Sequence, residues 1–395
     1  MASKSTQPIP LRPNGKVALA FQGGGLHTAL QLGEVAVLAP YLEQNGFAVT
    51  VAVGTSGGGF NAVYFANGWE SAARGAKATA ASTKVEQLWL EIARLAPKHL
   101  AEVPVDAFNY LIDQAQQGKI HPYSLTGPVQ MLNALATYAT QHHPAVVALG
   151  HLNDHVNKVH PLEALVAKDI DFAKFNQPGK MQVFINTVDA LSGRQIVYGG
   201  RNDGKLGPHH TLTARAMAAA GSLPELFGGG VMIDDLHNWD GGFLGNPPLQ
   251  VIYDHCPEVT DIIVLRVSPL EQADVPPPGD RDAAYDRREQ LRWNAALEAE
   301  LQLLPRLAKA EGRVLNIHVV APPRHWPYSQ KSKVDPLGVR LPFIRELEGV
   351  GARTMKLWLH NHGAQLGRES SYHASYVMAS DRRHHLVRAA SPNVA

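Results

Sequence analysis

The apolar residues near the start of the chain form short runs separated by segments of helical spacing. The run KVALAF, residues 16–21, is followed by glycines and is typical of a buried strand. Between 27 and 45, apolar residues recur at near-helical spacing, at Leu30, Val35, Leu38 and Leu42. The run FAVTVAV, 47–53, then predicts a second strand, and 61–69 a second helix. This order predicts a parallel sheet with right-handed crossovers.

The rest of the chain continues these patterns. Residues 181–199 predict two strands joined through LSGR, and the segment starting TLTARAMAAA predicts a helix that ends at Gly221. DIIVLRVS and VLNIHVV predict further core strands, whereas 283–310, 341–362 and most of 80–170 have helical spacing. The sequence therefore predicts an α/β protein.

Composition sets limits on the kind of protein this is. The 395 residues are 45% hydrophobic and 18% charged, which is typical of a folded globular chain. A formal charge of +1 gives no electrostatic argument for a nucleic-acid partner. The single cysteine, Cys256, excludes an intramolecular disulfide and a cysteine-rich metal site.

No targeting or membrane-spanning segment is predicted. Residues 1–15 contain prolines and no apolar core of signal-peptide length. No uninterrupted apolar run approaches the roughly 18–20 residues that a membrane span needs. We therefore expect a soluble, cytoplasmic protein that could still contact a membrane surface.

A serine lies between the second strand and the second helix. Gly54-Thr55-Ser56-Gly57-Gly58 matches the G-x-S-x-G nucleophile elbow, whose expected context is a strand followed at once by a helix. The turn is sharp, and side chains at Gly54 and Gly58 would collide with neighbouring chain. An ordinary strand–helix turn with a surface serine is the alternative.

A second glycine triplet, Gly23-Gly24-Gly25, also lies between a strand and a helix. A dinucleotide loop is disfavoured because Thr28 stands where its third glycine belongs, and a P-loop because no Lys-Ser/Thr follows. Peptide N–H groups here fit an oxyanion hole better, since they could meet the negative charge formed when a serine attacks a carbonyl.

A nucleophilic serine needs a base, and the residues alone leave two options. A histidine oriented by an acid is one, with nineteen histidines to choose from. A carboxylate acting directly is the other. Asp240 is a candidate because two glycines follow it and allow close approach to another loop. Asp189, Asp234 and Asp235 compete with it.

Five segments in order resemble the patatin-like phospholipases: FQGGG, VGTSGGG, INTVDALSGRQIVYG, MAAAGSLPELF and WDGGFLGNPP. The resemblance covers about 16–267. It implies a three-layer α/β/α sandwich with a mainly parallel central sheet and a C-terminal α/β extension.

The resemblance also implies the chemistry. Ser56 and Asp240 would form a catalytic dyad that cleaves a lipid or other acyl ester through an acyl-enzyme, without a metal or other cofactor. Gly23, Gly24 and Gly25 would form the oxyanion hole and Gly54 and Gly58 the elbow. Gly57, Gly241 and Gly242 are further candidate residues of the catalytic site.

We therefore divide the chain into a flexible leader, 1–15, a catalytic domain, 16–267, an extension packed on the same core, 268–380, and a flexible tail, 381–395. An esterase with a Ser–His–Asp triad and a non-catalytic lipid-binding module are the alternatives. Head group, acyl position, chain length, activating ligand and oligomeric state stay open.

The chain departs from the family pattern just after the first triplet. Many members have a basic residue and a glycine where this chain has His27 and Thr28. His27 could supply the charge when protonated, or could be a first-turn helix residue in contact with nothing.

Two further patterns have ordinary explanations. The leucine stripe in 283–310 predicts a helix packed on the core, and a lid or membrane-surface helix is the alternative. His151, His155 and His160 have helix-like spacing, but no complete set of zinc ligands lies nearby, so we expect surface histidines.

Overall fold

A computed structural model describes residues 15–95, 161–177, 180–199, 211–224, 230–270, 279, 281–324 and 340–373. The expected leader, apart from Gly15, and the expected tail lie outside these residues. His151, His155 and His160 also lie outside them, as does the part of the helical pattern between 96 and 160.

The described strands form one sheet. Their bounds are β1 Lys16–Phe21, β2 Ala48–Gly54, β3 Gln182–Asp189, β4 Gln195–Gly199, β5 Val231–Ile233, β6 Leu236–Asp240, β7 Asp261–Leu265 and β8 Asn316–Val320. The order across the sheet is β5-β6-β3-β2-β1-β7-β8, and β4 also pairs with β3. Strands β3, β2, β1, β7 and β8 run parallel, whereas β4, β5 and β6 pair antiparallel. The mainly parallel sheet confirms the predicted fold class.

Helices cover both faces of this sheet. The described α-helices are α1 Leu30–Gln44, α2 Gly57–Ser71, α3 Lys77–Leu95, α4 Pro161–Asp169, α5 Phe172–Phe175, α6 Ala214–Ala220, α7 Leu249–His255, α8 Arg281–Ala310 and α9 Leu341–His362. Leu19 of β1 packs in a cluster with α1, α2, α3 and α9. Its neighbour Ala20 packs in the opposite cluster with α7 and α8. Alternate strand residues thus build two cores and three layers.

The C-terminal elements belong to the same body. Strand β8 extends the sheet beyond β7. Helix α9 crosses α1 so closely that the two backbones are in contact. A Cβ on Gly33 of α1 would lie 2.6 Å from the backbone nitrogen of Ala352 in α9. Leu347 and Met355 of α9 are fully buried in the α1 cluster.

Two details differ from the sequence prediction. The first helix begins with a 3₁₀ turn, Gly25–Ala29, in which the Thr28 hydroxyl donates to the Gly25 carbonyl at 2.6 Å. The β5–β6 hairpin does not follow from the sequence pattern, since β5 has only three residues and β6 is mostly polar. Its turn places Asp234 and Asp235 at φ of 48° and 64°, a conformation for which aspartate is better suited than most residues.

Candidate active site

Ser56 lies on a strained turn between β2 and α2. Its φ of 53° and ψ of −134° are unusual for a residue with a side chain, and such a conformation costs on the order of 1–3 kcal/mol. The turn has no room for a side chain at Gly54 or Gly58. A Cβ on Gly54 would lie 2.7 Å from the backbone of Gly58, and a Cβ on Gly58 would lie 2.8 Å from the backbone of Gln22. The first turn of α2 begins directly after Ser56, and its Gly59 N–H donates to the Ser56 carbonyl at 2.8 Å.

The first glycine triplet meets this turn at the same edge of the sheet. β1 and β2 are parallel neighbours with Phe21 paired to Gly54. A Cβ placed on Gly23 would lie 2.9 Å from Ser56 Cβ. Gly57 faces the Gly25 carbonyl and the Thr28 hydroxyl in the same way. Thr28, which replaces a glycine of the family pattern, thus fills the space between the two turns.

The Gly23 peptide is held by a distant side chain. Its N–H donates to Asn246 Oδ1 at 2.7 Å, and its carbonyl accepts from Asn246 Nδ2 at 3.2 Å. The N–H of Gly23, one of the three expected oxyanion donors, is therefore already bonded to Asn246. His27, beyond the triplet, is fully buried in the 3₁₀ turn, and not an exposed residue of a first helical turn.

Asp240 is the last residue of β6 and is fully buried. It pairs with Thr187 of β3, and β3 pairs Ile185 with Gly54. Ser56 is two residues beyond Gly54, so this register brings Asp240 to the level of the elbow. Its Oδ1 accepts from the Gly242 N–H at 2.8 Å, in the turn formed by Gly241 and Gly242.

Asn186 joins the elbow to the Asp240 turn. Its Oδ1 accepts from the Thr55 hydroxyl at 2.5 Å. Its Nδ2 donates to the carbonyls of Gly241 and Gly245, both at 3.0 Å. The Thr55 hydroxyl also approaches the Gly245 carbonyl at 2.9 Å, so its single proton is shared between two acceptors. The residues next to Ser56 and Asp240 are thus fixed relative to each other.

Helix α8 covers both turns. A Cβ on Gly242 would lie 2.9 Å from Trp293 Cε3, and the Trp293 ring packs on Phe243 with centroids 5.0 Å apart. Asn294 Oδ1 accepts from Gln22 Nε2 at 2.6 Å, immediately before the first glycine triplet. The core-packed helix that the leucine stripe predicts is therefore also part of the site's walls.

The other aspartates considered as bases occupy turns. Asp189 accepts from the hydroxyl of Ser192 at 2.5 Å and from its N–H at 3.1 Å, and the Ser192 hydroxyl is the main cause that lowers the pKa of Asp189. It closes the β3–β4 turn, while Asp234 and Asp235 form the β5–β6 turn.

A Ser–His–Asp chain of hydrogen bonds exists elsewhere. Ser371 Oγ lies 3.0 Å from His318 Nδ1, and His318 Nε2 lies 3.0 Å from Asp261 Oδ1. Asp261 begins β7, whereas Leu265 at its other end pairs with Phe21 near the glycine turns. Four residues of strand separate the two edges by about 13 Å. This chain of residues therefore does not reach Ser56.

The described residues contain no cluster of three or more metal-binding side chains. None of the helices within the described ranges is long and apolar enough to cross a membrane.

This chain belongs to the patatin-like phospholipase family. The family model matches residues 19–253, more than half of the chain, and this range includes both glycine triplets, Ser56 and Asp240. Membership supports a lipid acyl hydrolase activity and confirms the resemblance inferred from the five sequence segments.

Two solved structures of bacterial proteins match most of the chain, with low identity and low TM-scores. VipD from Legionella pneumophila matches with 13% identity and a TM-score of 0.40, covering 96% of this chain and 74% of that one. ExoU of Pseudomonas aeruginosa, solved in complex with SpcU, matches with 15% identity and a TM-score of 0.27 over 88% of this chain. The match spans 53% of the ExoU chain. No curated protein matches the sequence.

Proposed function

We propose that this protein is a serine lipid acyl hydrolase, a phospholipase A, lysophospholipase or related esterase, with Ser56 as nucleophile and Asp240 as base. One observation supports this most directly. The strained serine turn packs against the glycine triplet, and Asn186 bonds the residue before Ser56 to the glycine after Asp240. Family membership supports the lipid substrate.

In the proposed first step, Ser56 Oγ attacks the acyl carbonyl carbon while Asp240 takes the hydroxyl proton. Negative charge forms on the carbonyl oxygen, and the N–H groups of Gly24 and Gly25 stabilise it. Cleavage of the C–O bond releases the alcohol, which receives the proton from Asp240. Water then attacks the carbonyl carbon of the acyl-enzyme and gives a proton to Asp240. Cleavage of the bond to Ser56 Oγ releases the fatty acid, and Ser56 takes the proton back from Asp240.

The edge of the sheet that carries these turns also exposes apolar residues. Leu191 is 83% exposed in the β3–β4 turn, Leu244 is 40% exposed just after the Asp240 turn, and Leu270 is 41% exposed after β7. Exposed leucines around a lipid hydrolase site fit contact with a lipid surface. We infer that the protein works in the cytoplasm and meets its substrate at a membrane surface.

The test compares wild type, Ser56→Ala and Asp240→Asn on phospholipid, lysophospholipid and glyceride substrates. We expect both variants to lose more than about 10³-fold in kcat, and a fluorophosphonate probe to label Ser56 in wild type alone. Equal hydrolysis by all three proteins, or labelling of Ser56→Ala at the wild-type rate, would show that the site is wrong.

A further inference from the structure

Asn246 contacts the glycine triplet with both ends of its amide. It is 2% exposed and lies 223 residues from Gly23 in sequence. Its Oδ1 accepts from the Gly23 N–H and its Nδ2 donates to the Gly23 carbonyl. The same Nδ2 lies 3.2 Å from the Trp293 carbonyl of α8. Asn246 therefore fixes the peptides on both sides of Gly23.

The direction in which the Gly23 carbonyl points determines the direction of the Gly24 N–H, because both belong to the same peptide. A peptide is planar and trans, so its carbonyl and N–H point in opposite directions. With the Gly23 carbonyl held toward Asn246, the Gly24 N–H must point away from Asn246. The Gly24 carbonyl accepts from the His27 N–H at 3.1 Å, which fixes the Gly25 N–H in the same way.

We propose that Asn246 is a positioning residue that aims the Gly24 N–H at the oxyanion. This inference rests on the proposed function. A glycine-rich loop has many backbone conformations open to it, and these two hydrogen bonds select one before substrate arrives. Asn246 acts through the Gly23 peptide and does not itself touch the reacting atoms.

Asn176, which follows α5, offers a matched comparison away from the glycine loop. Its Nδ2 donates to the carbonyls of Phe172 and Leu212, both at 2.8 Å. Asn176→Asp and Asn246→Asp each replace a donor with an oxygen that faces two carbonyls. Asn246 contacts the glycine triplet, whereas the carbonyls that Asn176 contacts lie outside the site.

The two isosteric variants thus make the same chemical change with different consequences. For Asn246→Asp we expect kcat to fall about 10²-fold with KM within threefold, as for loss of one oxyanion donor. Asn176→Asp should keep at least a third of the wild-type kcat. Rates are divided by the fraction of Ser56 that a fluorophosphonate titrates, so misfolded protein does not count. Asn246→Ala serves as a second variant.

Inhibitor binding separates positioning from a purely structural role. A long-chain trifluoromethyl ketone forms a serine adduct with an oxyanion, whereas the matching methyl ketone does not. We expect Asn246→Asp to bind the fluorinated ketone about 10²-fold more weakly and the methyl ketone within threefold of wild type.

Three results would overturn the proposal: normal kcat in both Asn246 variants, equal losses in Asn246→Asp and Asn176→Asp, or lost activity with normal affinity for the fluorinated ketone. An inactive wild type whose Ser56 is not labelled would instead contradict the proposed function.

Discussion

The Thr55 hydroxyl lies 2.5 Å from Asn186 Oδ1, directly behind the candidate nucleophile. Both side chains are fully buried, and their residues are 131 positions apart. This contact joins the elbow to the strand that also pairs with β6, so it holds the two halves of the proposed dyad in one frame.

Removing that hydroxyl should loosen the site. Thr55→Val keeps the shape but leaves Asn186 Oδ1 without its donor, which costs about 1–3 kcal/mol. We expect a lower free energy of unfolding in urea and a lower kcat per titrated Ser56. Thr55→Ser restores the hydroxyl and should recover most of both. If Val and Ser behave alike, the hydrogen bond is irrelevant.

The exposed leucine after the Asp240 turn should matter only at a lipid surface. Leu244→Glu should reduce hydrolysis of phospholipid vesicles at least fivefold and leave hydrolysis of a short-chain soluble ester within twofold. The control is Leu357→Glu, at a 63% exposed position beside Trp358, which packs on His318 away from the site. Parallel losses in both assays would argue against surface contact.

Glu300 should make stability depend on pH. Burial raises its pKa to about 7, although it accepts hydrogen bonds from the Leu249 and Gln250 N–H groups. Because the pKa of Glu300 is higher in the folded state, its protonated form stabilises the fold. This stabilisation is complete below the unfolded-state pKa of about 4.5 and is lost as pH rises through 7.

Glu300→Gln should therefore flatten the pH dependence of the unfolding free energy between about 4.5 and 7, by up to about 3 kcal/mol. The measurement is urea unfolding at several pH values, with Glu311→Gln as the exposed control. An unchanged slope in Glu300→Gln would contradict this assignment.

The Ser371–His318–Asp261 chain should stabilise the fold and take no part in turnover. Burial alone would raise the pKa of Asp261, but hydrogen bonds, first from His318, keep it below the usual value. Its stabilisation is therefore present at neutral pH and lost as pH falls through the acidic range.

His318→Gln should lower the free energy of unfolding at pH 7 and leave kcat per titrated Ser56 within twofold. A loss of activity equal to that of Ser56→Ala would favour a histidine-dependent mechanism after all.

The sequence predicted what depends on local pattern. The runs at β1 and β2, the serine between β2 and α2, and the long helix α8 all follow from apolar spacing and from glycines with no room for a side chain. The β5–β6 hairpin escaped prediction because Trp239 and Asp240 carry no strand pattern of their own, and the hairpin takes its register from β3.

The supporting amides could not be predicted in the same way. Asn186, Asn246 and Asn294 look like ordinary polar residues in the chain. Their roles come from contacts across 131, 223 and 272 positions, which only the folded sheet creates. Each lies near a predicted motif, but no spacing rule distinguishes them from a surface asparagine.

Helix α8 covers the turns at Gly23–Gly25 and Gly241–Gly242, and this has a consequence for the nascent chain. Synthesis runs from residue 1, so both turns, Ser56 and Asp240 are made before residues 281–310. Until α8 has been made and has docked, Gln22 lacks Asn294 and the Asp240 turn lacks Trp293. The nascent chain thus carries its proposed nucleophile early, and the walls of the site are completed only by a late helix.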